Sequence, residues 1–256
     1  MPLLFARQAR AMGVKRIVAL AFENETDPQL AKFVDDIVWL KVGQLTKMIE
    51  AFQDRGISKC VMLGQIAPRN LFDVRPDLRA LTALLKIKEK NAHSIFGGLI
   101  DELRKDGIEV VEALPWLRPI MPAQGFHLGP KLSDEQRADV AFGLKMAKEI
   151  CRLEIGQTVV VKDGAVLAVE GFEGTDNCLR RGGELSGKDR CAVAVKVARD
   201  KHDTRFDVPC LGSRTIQVCA DSGISVLAFE PGMTLLLDRE EVEQLCKKHR
   251  IALTTV

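Results

Sequence analysis

No stretch of this 256-residue chain stays apolar for anything near the roughly 20 residues that a membrane-spanning helix needs. The opening Met1-Pro2-Leu3-Leu4-Phe5-Ala6-Arg7 is too short, and too soon charged, for a secretory signal. An excess of one charge is also missing. The 37 Lys and Arg against 35 Asp and Glu leave a net charge of +2, which excludes nucleic-acid binding driven by bulk electrostatics but still allows basic clusters to meet a phosphorylated small molecule. The seven cysteines (60, 151, 178, 191, 210, 219 and 246) form no CxxC pair and sit mostly in apolar stretches such as Lys59-Cys60-Val61-Met62-Leu63. An odd number with no framework reads as free thiols in a reducing compartment and argues against a structural zinc site. Walker-type loops, HExxH, GxSxG and a complete GxGxxG are absent as well, so the common nucleotide-hydrolysing and serine-hydrolase routes have no support. The expectation is a cytoplasmic protein.

What is present is ordinary for a globular chain: 46% hydrophobic and 28% charged residues. The length allows one large domain or two smaller ones. In the first half, helical and strand patterns alternate. Pro2 to Met12 predicts a helix with proline in its first turn and Gly13 past its end. Strands are expected at 16–22, 37–40, 59–63 and 108–112, with a helix carrying Leu45, Met48, Ile49 and Phe52 closed by Gly56. Apolar strands separated by helices imply a Rossmann-like parallel sheet covered on both faces. Because the series opens on a helix, its first strand is expected to be missing.

Pro115 to Gly125 holds three prolines and marks a linker, giving an N-terminal domain over 1–118 and a C-terminal mixed α/β domain over 126–256. Past the linker, Ser133-Asp134-Glu135-Gln136 matches a capping box opening a helix with Val140, Leu144, Ala147 and Cys151 on one face. Lys162-Asp163-Gly164 between two apolar runs signals a hairpin. Further strands are expected at 192–197, 225–229 and 234–237, then a helix from Arg239 to His249 and a short terminal strand.

Polar residues crowd two places. Glu170-Gly171-Phe172-Glu173-Gly174-Thr175-Asp176 follows a strand directly and leads to Arg180-Arg181-Gly182-Gly183. Glycines let backbone approach a ligand, carboxylates can hold a divalent cation, and arginines can take phosphate oxygens; the plain alternative is a solvated turn with caps. The second place comprises Lys196, the run from Asp200 to Pro209, and Gly212-Ser213-Arg214-Thr215. Asp207 there binds metal, activates water, or caps the helix beginning near Gly212, whose terminal amides suit an anion. Gly64-Gln65 closes an expected strand, a usual ligand position in open α/β sheets. His93 and His127 are isolated, and isolated histidines are more often structural.

Taken together, Gly43-Gln44-Leu45, Gly64-Gln65, the 90–98 segment, Asp139-Val140-Ala141-Phe142-Gly143, the 155–161 segment, Glu170 to Asp176 and Arg205-Phe206-Asp207-Val208-Pro209 resemble the UDP-2,3-diacylglucosamine pyrophosphatase family of Gram-negative bacteria, the type distinct from the calcineurin-like enzyme. The resemblance covers nearly the whole chain. It implies hydrolysis of UDP-2,3-diacylglucosamine to lipid X and UMP in lipid A biosynthesis, two unlike α/β domains holding lipid between them, and dependence on Mg²⁺, with Mn²⁺ as the other candidate ion. It further implies a critical aspartate at Asp207 and metal ligands at Asp207, Asp176 and Glu173. Substrate and phosphate contacts are expected from Gly64, Gln65, Gly174, Thr175, Arg180, Arg181, Lys196, Arg205, Gly212 and Thr215. The partner is a lipid-linked UDP-sugar, with peripheral contact at the cytoplasmic face of the inner membrane and no nucleic acid; homo-oligomerisation is left open. One departure stands out: family members usually begin with an apolar strand and a Gly-rich turn ahead of the segment matching Pro2 to Ala6. Two other classes compete, a non-catalytic carrier of a lipid or nucleotide-sugar and a nicotinamide-dependent oxidoreductase. The latter lacks its glycine fingerprint.

Overall fold

A computed structural model describes residues 1–64, 75–87, 92–188, 191–198, 204–205 and 208–256, with backbone alone at 92 and 93. The chain divides into two compact units. The first is Met1–Leu117 joined by Thr204 and Arg205; the second takes the chain from Arg118, apart from that return, to Val256.

In the first unit, helix α1 (Pro2–Ala11) buries Phe5, Ala6 and Ala9, and the Phe5 ring meets Trp116 edge-on with centroids 5.7 Å apart. Strand β1 (Val18–Phe22) pairs in parallel with β2 (Asp36–Leu40). The connection between them contains a 3-10 turn, Pro28–Lys32, whose Gln29 amide donates to the Asp27 carboxylate at 2.8 Å. Helix α2 (Leu45–Gln53) places Leu45, Ile49 and Phe52 on one face, and Gly56 follows with φ +63°. That face packs with Ile100 and Leu103 of a helix at Ala92–Lys105 and with Ile108 and Val110. Strand β3 (Lys59–Cys60) pairs in parallel with β4 (Glu109–Val110). The parallel pairing expected of this half is therefore present twice. Among the described residues it takes the form of two separate two-stranded ladders, β1–β2 and β3–β4, and not of one continuous Rossmann-like sheet. Nor is β1 covered on both faces, since only Ala21 of its five residues is fully buried.

Helix α3 (Leu78–Leu85) precedes the Ala92–Lys105 helix, called α4. It is capped by Asp77, which accepts from the Ala80 amide at 2.8 Å. Helix α5 (Leu114–Leu117) ends the first unit.

The second unit is a mixed α/β layer structure. Strands β5 (His127–Leu128), β6 (Thr158–Lys162), β7 (Ala165–Val169), β8 (Ala192–Lys196), β10 (Ile224–Phe229) and β12 (Ala252–Thr255) form one sheet in the order β5-β12-β10-β8-β6-β7. The strands β7, β8, β10 and β12 run the same way, while β6 and β5 run against them. Helix α6 (Asp134–Arg152) covers one face. Helices α7 (Thr175–Leu185), α8 (Ser213–Ser222) and α9 (Arg239–His249) cover the other. A small pair, β9 (Cys210–Leu211) with β11 (Leu235–Leu236), flanks them.

Period-two alternation sorts the strand residues between the faces. In β8, Val193 and Val195 meet α6 while Ala192 and Ala194 lie on the three-helix side; in β6, Val159 and Val161 oppose Val160 in the same way. Each fully buried valine contributes roughly 1.5–3 kcal/mol. Such strands, covered on both faces, read as unbroken apolar runs.

Helix α6 begins as expected: the Gln136 amide donates to Ser133 Oγ, and the Ser133 amide donates to Gln136 Oε1. The β6–β7 hairpin turns through Asp163 (φ +51°) and Gly164 (φ +73°), the left-handed pair of a two-residue turn. The carboxylate of Asp139, 6% exposed on α6, accepts from both turn amides, Asp163 at 2.9 Å and Gly164 at 2.8 Å.

Candidate functional site

Because β6 runs against its neighbours, its amino end lies at the same sheet edge as the carboxyl ends of β7 and β8. Open α/β sheets bind ligands at that edge. Thr158, the first residue of β6, pairs with Lys196, the last of β8, and its carbonyl accepts from the Glu170 amide at 2.8 Å. From Glu170 the chain turns through Gly171, Phe172 and Glu173 to Gly174, the N-cap of α7 at φ +80°. Gly156 makes the approach possible, since a Cβ there would stand 2.0 Å from the Glu170 carbonyl oxygen.

These elements bring four side chains together. The Thr175 hydroxyl, in the first turn of α7, donates to Glu170 Oε1 at 3.0 Å and accepts from Lys196 Nζ at 3.0 Å, with Thr158 Oγ1 3.5 Å away. Glu170 is 6% exposed, Lys196 8% and Thr158 fully buried. Among the described residues, Glu170 Oε2 is buried without a hydrogen-bond partner. A buried polar atom left in that state is costly and marks a place for a water, ion or ligand. Beneath the cluster, burial and then the Glu170 charge push the Cys178 thiol up to about 12, so it is no nucleophile at neutral pH.

A second polar tier lies nearer solvent. Glu173 Oε1 takes an Arg181 guanidinium hydrogen bond at 2.5 Å, and Oε2 accepts from the Gly171 amide at 3.1 Å. The Arg181 contact, before any other cause, holds the Glu173 carboxyl below its ordinary value. Arg181 also donates to the Val169 carbonyl at 2.8 Å, so the pair braces the 170–174 loop against the end of β7. Arg180 turns to Asn177 at 2.8 Å. Asp176 Oδ2 meets Arg214 Nε at 3.0 Å and ties the amino end of α7 to that of α8. Among the described residues neither helix has a side-chain cap; their N-cap residues are Gly174 and Gly212. Thr215 follows in the first turn of α8, its amide donating to the Gly212 carbonyl at 3.0 Å.

Of the residues singled out in the sequence, Glu173, Gly174, Thr175, Asp176, Arg180, Arg181, Lys196, Gly212 and Thr215 thus lie in the second unit, around the amino ends of α7 and α8. Gly64 belongs to the first unit, just past β3, with φ +96°. Arg205 also groups there and lines a cavity of about 360 Å³ with Arg104, Glu109 and Glu112. Asp207 and Gln65 lie outside the described residues, and so do 200–203 in the second polar stretch. His127 is engaged structurally, its Nε2 2.9 Å from the Pro130 carbonyl. Among the described residues, no three His, Cys, Asp or Glu side chains converge as a metal site. The donors at this edge are nevertheless hard carboxylate oxygens, the type that suits Mg²⁺ or Mn²⁺. Two participants received no individual role in the sequence, Glu170 and Thr158. The signal for Glu170 was a carboxylate set directly after an apolar strand and before a glycine.

Comparison with known proteins divides the chain near the same place, between residues 120 and 123, but counts Arg205 with the second part. The LpxI N-terminal domain matches residues 1–120, and the LpxI C-terminal domain matches residues 123–254. The UDP-2,3-diacylglucosamine pyrophosphatase LpxI of Caulobacter vibrioides is 29% identical over 251 residues, a span covering 94% of this chain and 89% of that protein. The chain belongs to the LpxI family.

Proposed function

We propose that this chain, as an LpxI-family protein, hydrolyses the pyrophosphate bond of UDP-2,3-diacylglucosamine in lipid A biosynthesis, releasing lipid X and UMP. The observation that carries this reading is the likeness to the Caulobacter pyrophosphatase, which runs through both domains and so includes the segment of the buried acid–base cluster. Splitting a phosphoanhydride requires neutralising charge on two phosphates and placing a water in line. Lys196 supplies a buried positive charge, and the uncapped amino ends of α7 and α8 offer amides to phosphate oxygens. Arg180 adds charge as it develops on the phosphates.

Asp207 and Asp176 are each proposed as ligands of a divalent cation, Mg²⁺ or Mn²⁺. Glu173 is the weaker candidate because Arg181 and the Gly171 amide already occupy its two oxygens. When bound, such an ion draws charge from phosphoryl oxygens and lowers the pKa of water.

Among the described residues no helix is long and apolar enough to cross a membrane. The reading takes the protein as cytoplasmic, as the family resemblance implies, meeting the diacylated substrate at the inner-membrane surface. Each acyl CH₂ buried contributes roughly 0.8 kcal/mol, so an apolar groove binds lipid without an anchor.

The test is incubation of the purified chain with UDP-2,3-diacylglucosamine, following UMP and lipid X with Mg²⁺, with Mn²⁺ and with EDTA. Release of UMP that stops on chelation is expected. Substrate binding without UMP release identifies a carrier and refutes the enzyme; turnover untouched by EDTA refutes the metal alone.

A further inference from the structure

In the Glu170, Thr175 and Lys196 cluster the protons can be counted. A carboxylate only accepts, so the Thr175 hydroxyl proton is committed to Glu170 Oε1, and one of the oxygen's two lone pairs accepts from Lys196 Nζ, leaving the other toward Thr158 Oγ1. A hydroxyl engaged on both sides has no proton left for a ligand. Lys196, 8% exposed, spends one of its three N–H bonds on Thr175; among the described residues no other acceptor lies within hydrogen-bond distance. Buried ammonium protons without acceptors are as costly as the unpartnered Glu170 Oε2. The cluster is built from two separate pieces of chain: the loop after β7 running into the first turn of α7, and the end of β8. It is incomplete on the lysine side.

We infer that Glu170 and Thr175 are positioning residues acting through Lys196: the carboxylate sets the Thr175 hydroxyl as an acceptor, and the hydroxyl holds the ammonium so that its two remaining protons meet phosphoryl oxygens of a nucleotide-sugar diphosphate. The identity of the ligand rests on the function proposed above; the network does not. Thr175 is thereby moved from direct phosphate contact to orientation of the lysine that makes it. Glu170 gains a part in the reaction without touching the reacting atoms.

The experiment uses the full chain and the variants Thr175→Val, Thr175→Ser, Glu170→Leu and Lys196→Met, with the double variant Thr175→Val/Lys196→Met. With UDP-2,3-diacylglucosamine and Mg²⁺, Thr175→Val and Lys196→Met each lower kcat/KM by about 10²–10³, the usual loss of one charge-stabilising donor. The double variant is no worse than Lys196→Met, and Thr175→Ser stays within about tenfold of wild type. Losses that add in the double variant overturn the inference. A second measurement is independent of turnover: a ¹⁵N–¹H spectrum of lysine ammonium groups. One slowly exchanging resonance is expected in wild type, missing in Lys196→Met, which assigns it, and lost in Thr175→Val and Glu170→Leu. Persistence of that resonance in both variants refutes the network whatever the activity. A wild type that releases no UMP refutes the proposed reaction and leaves the spectrum to decide the network.

Discussion

The Thr175 hydroxyl lies 3.0 Å from the Lys196 ammonium, binding the first turn of a helix to the last residue of a strand 21 positions later. Helix α7 is seated close enough for this contact because Gly182 rests on Val160, where a Cβ would come within 2.5–2.7 Å of the valine side chain. The polar cluster and the helix seat therefore constrain each other: a shift of α7 along the sheet breaks the hydrogen bond and opens a gap over β6.

Asp207→Ala is expected to lower kcat by about 10²–10³ or more, the scale of losing a principal charge-organising group. Its thermal midpoint is expected to stay near wild type. UMP release and a melting curve on the same preparation check both halves; undiminished turnover removes Asp207 from the reaction.

Asp139 has a different part, although it lies in one of the segments carrying the family resemblance. It accepts from two amides of the Asp163-Gly164 turn while nearly buried. Asp139→Ala leaves those amides unmatched and is expected to destabilise the protein by about 2–3 kcal/mol. Urea denaturation measures this. Activity per folded molecule should change little.

Gly183 on α7 faces the Ser222 carbonyl oxygen of α8, where an added Cβ would stand at 1.9 Å. Gly183→Ala must push two helices apart at backbone level, costing about 1–3 kcal/mol or more. Gly97→Ala is the contrasting case. It sits within a helix in open space, so the better helix propensity of alanine should leave stability equal or raised by up to about 1 kcal/mol. Comparing the two midpoints in denaturant tests the assignment.

Acid should loosen the 170–174 loop in a defined direction. Arg181, more than any other group, holds the Glu173 carboxyl below its ordinary value. A carboxyl whose folded pKa is depressed contributes stability above the unfolded value, about 4.3, and loses it as pH falls through the folded value. Glu173→Gln is therefore expected to melt below wild type at pH 7, with the difference vanishing in acid. A difference that grows on acidification contradicts the pairing.

Local signals were the legible part of this sequence. The Ser133–Gln136 box, the Asp163-Gly164 turn and the Arg239–His249 helix each depend on a few neighbouring residues, and each is present where expected. Helix α7 was harder to see. Its Gly182-Gly183 pair resembles a turn, yet both glycines serve close packing against β6 and α8, which only the tertiary arrangement reveals. Burial of Glu170 has the same origin, because a charged residue next to a glycine loop is covered only once β6 and β8 flank it. In the first half, the Val18–Phe22 and Asp36–Leu40 runs are as apolar as the buried strands of the second. Even so, Trp39 stays 39% exposed, so apolar composition alone did not fix how many faces were covered.

The reversed direction of β6 also bears on the order of events during folding. Thr158, Glu170 and Thr175 lie within eighteen positions, joined by a two-residue hairpin turn, and hairpins of this kind close in roughly 1–10 μs. Lys196 reaches the same spot only after a helix and a parallel crossover, whose loop-closure entropy must be met first. The acidic half of the cluster is thus assembled by chain proximity, while its cation arrives with the slower completion of the sheet. In pulse-labelled hydrogen exchange, protection should appear in the 159–169 amides before it appears in 193–196.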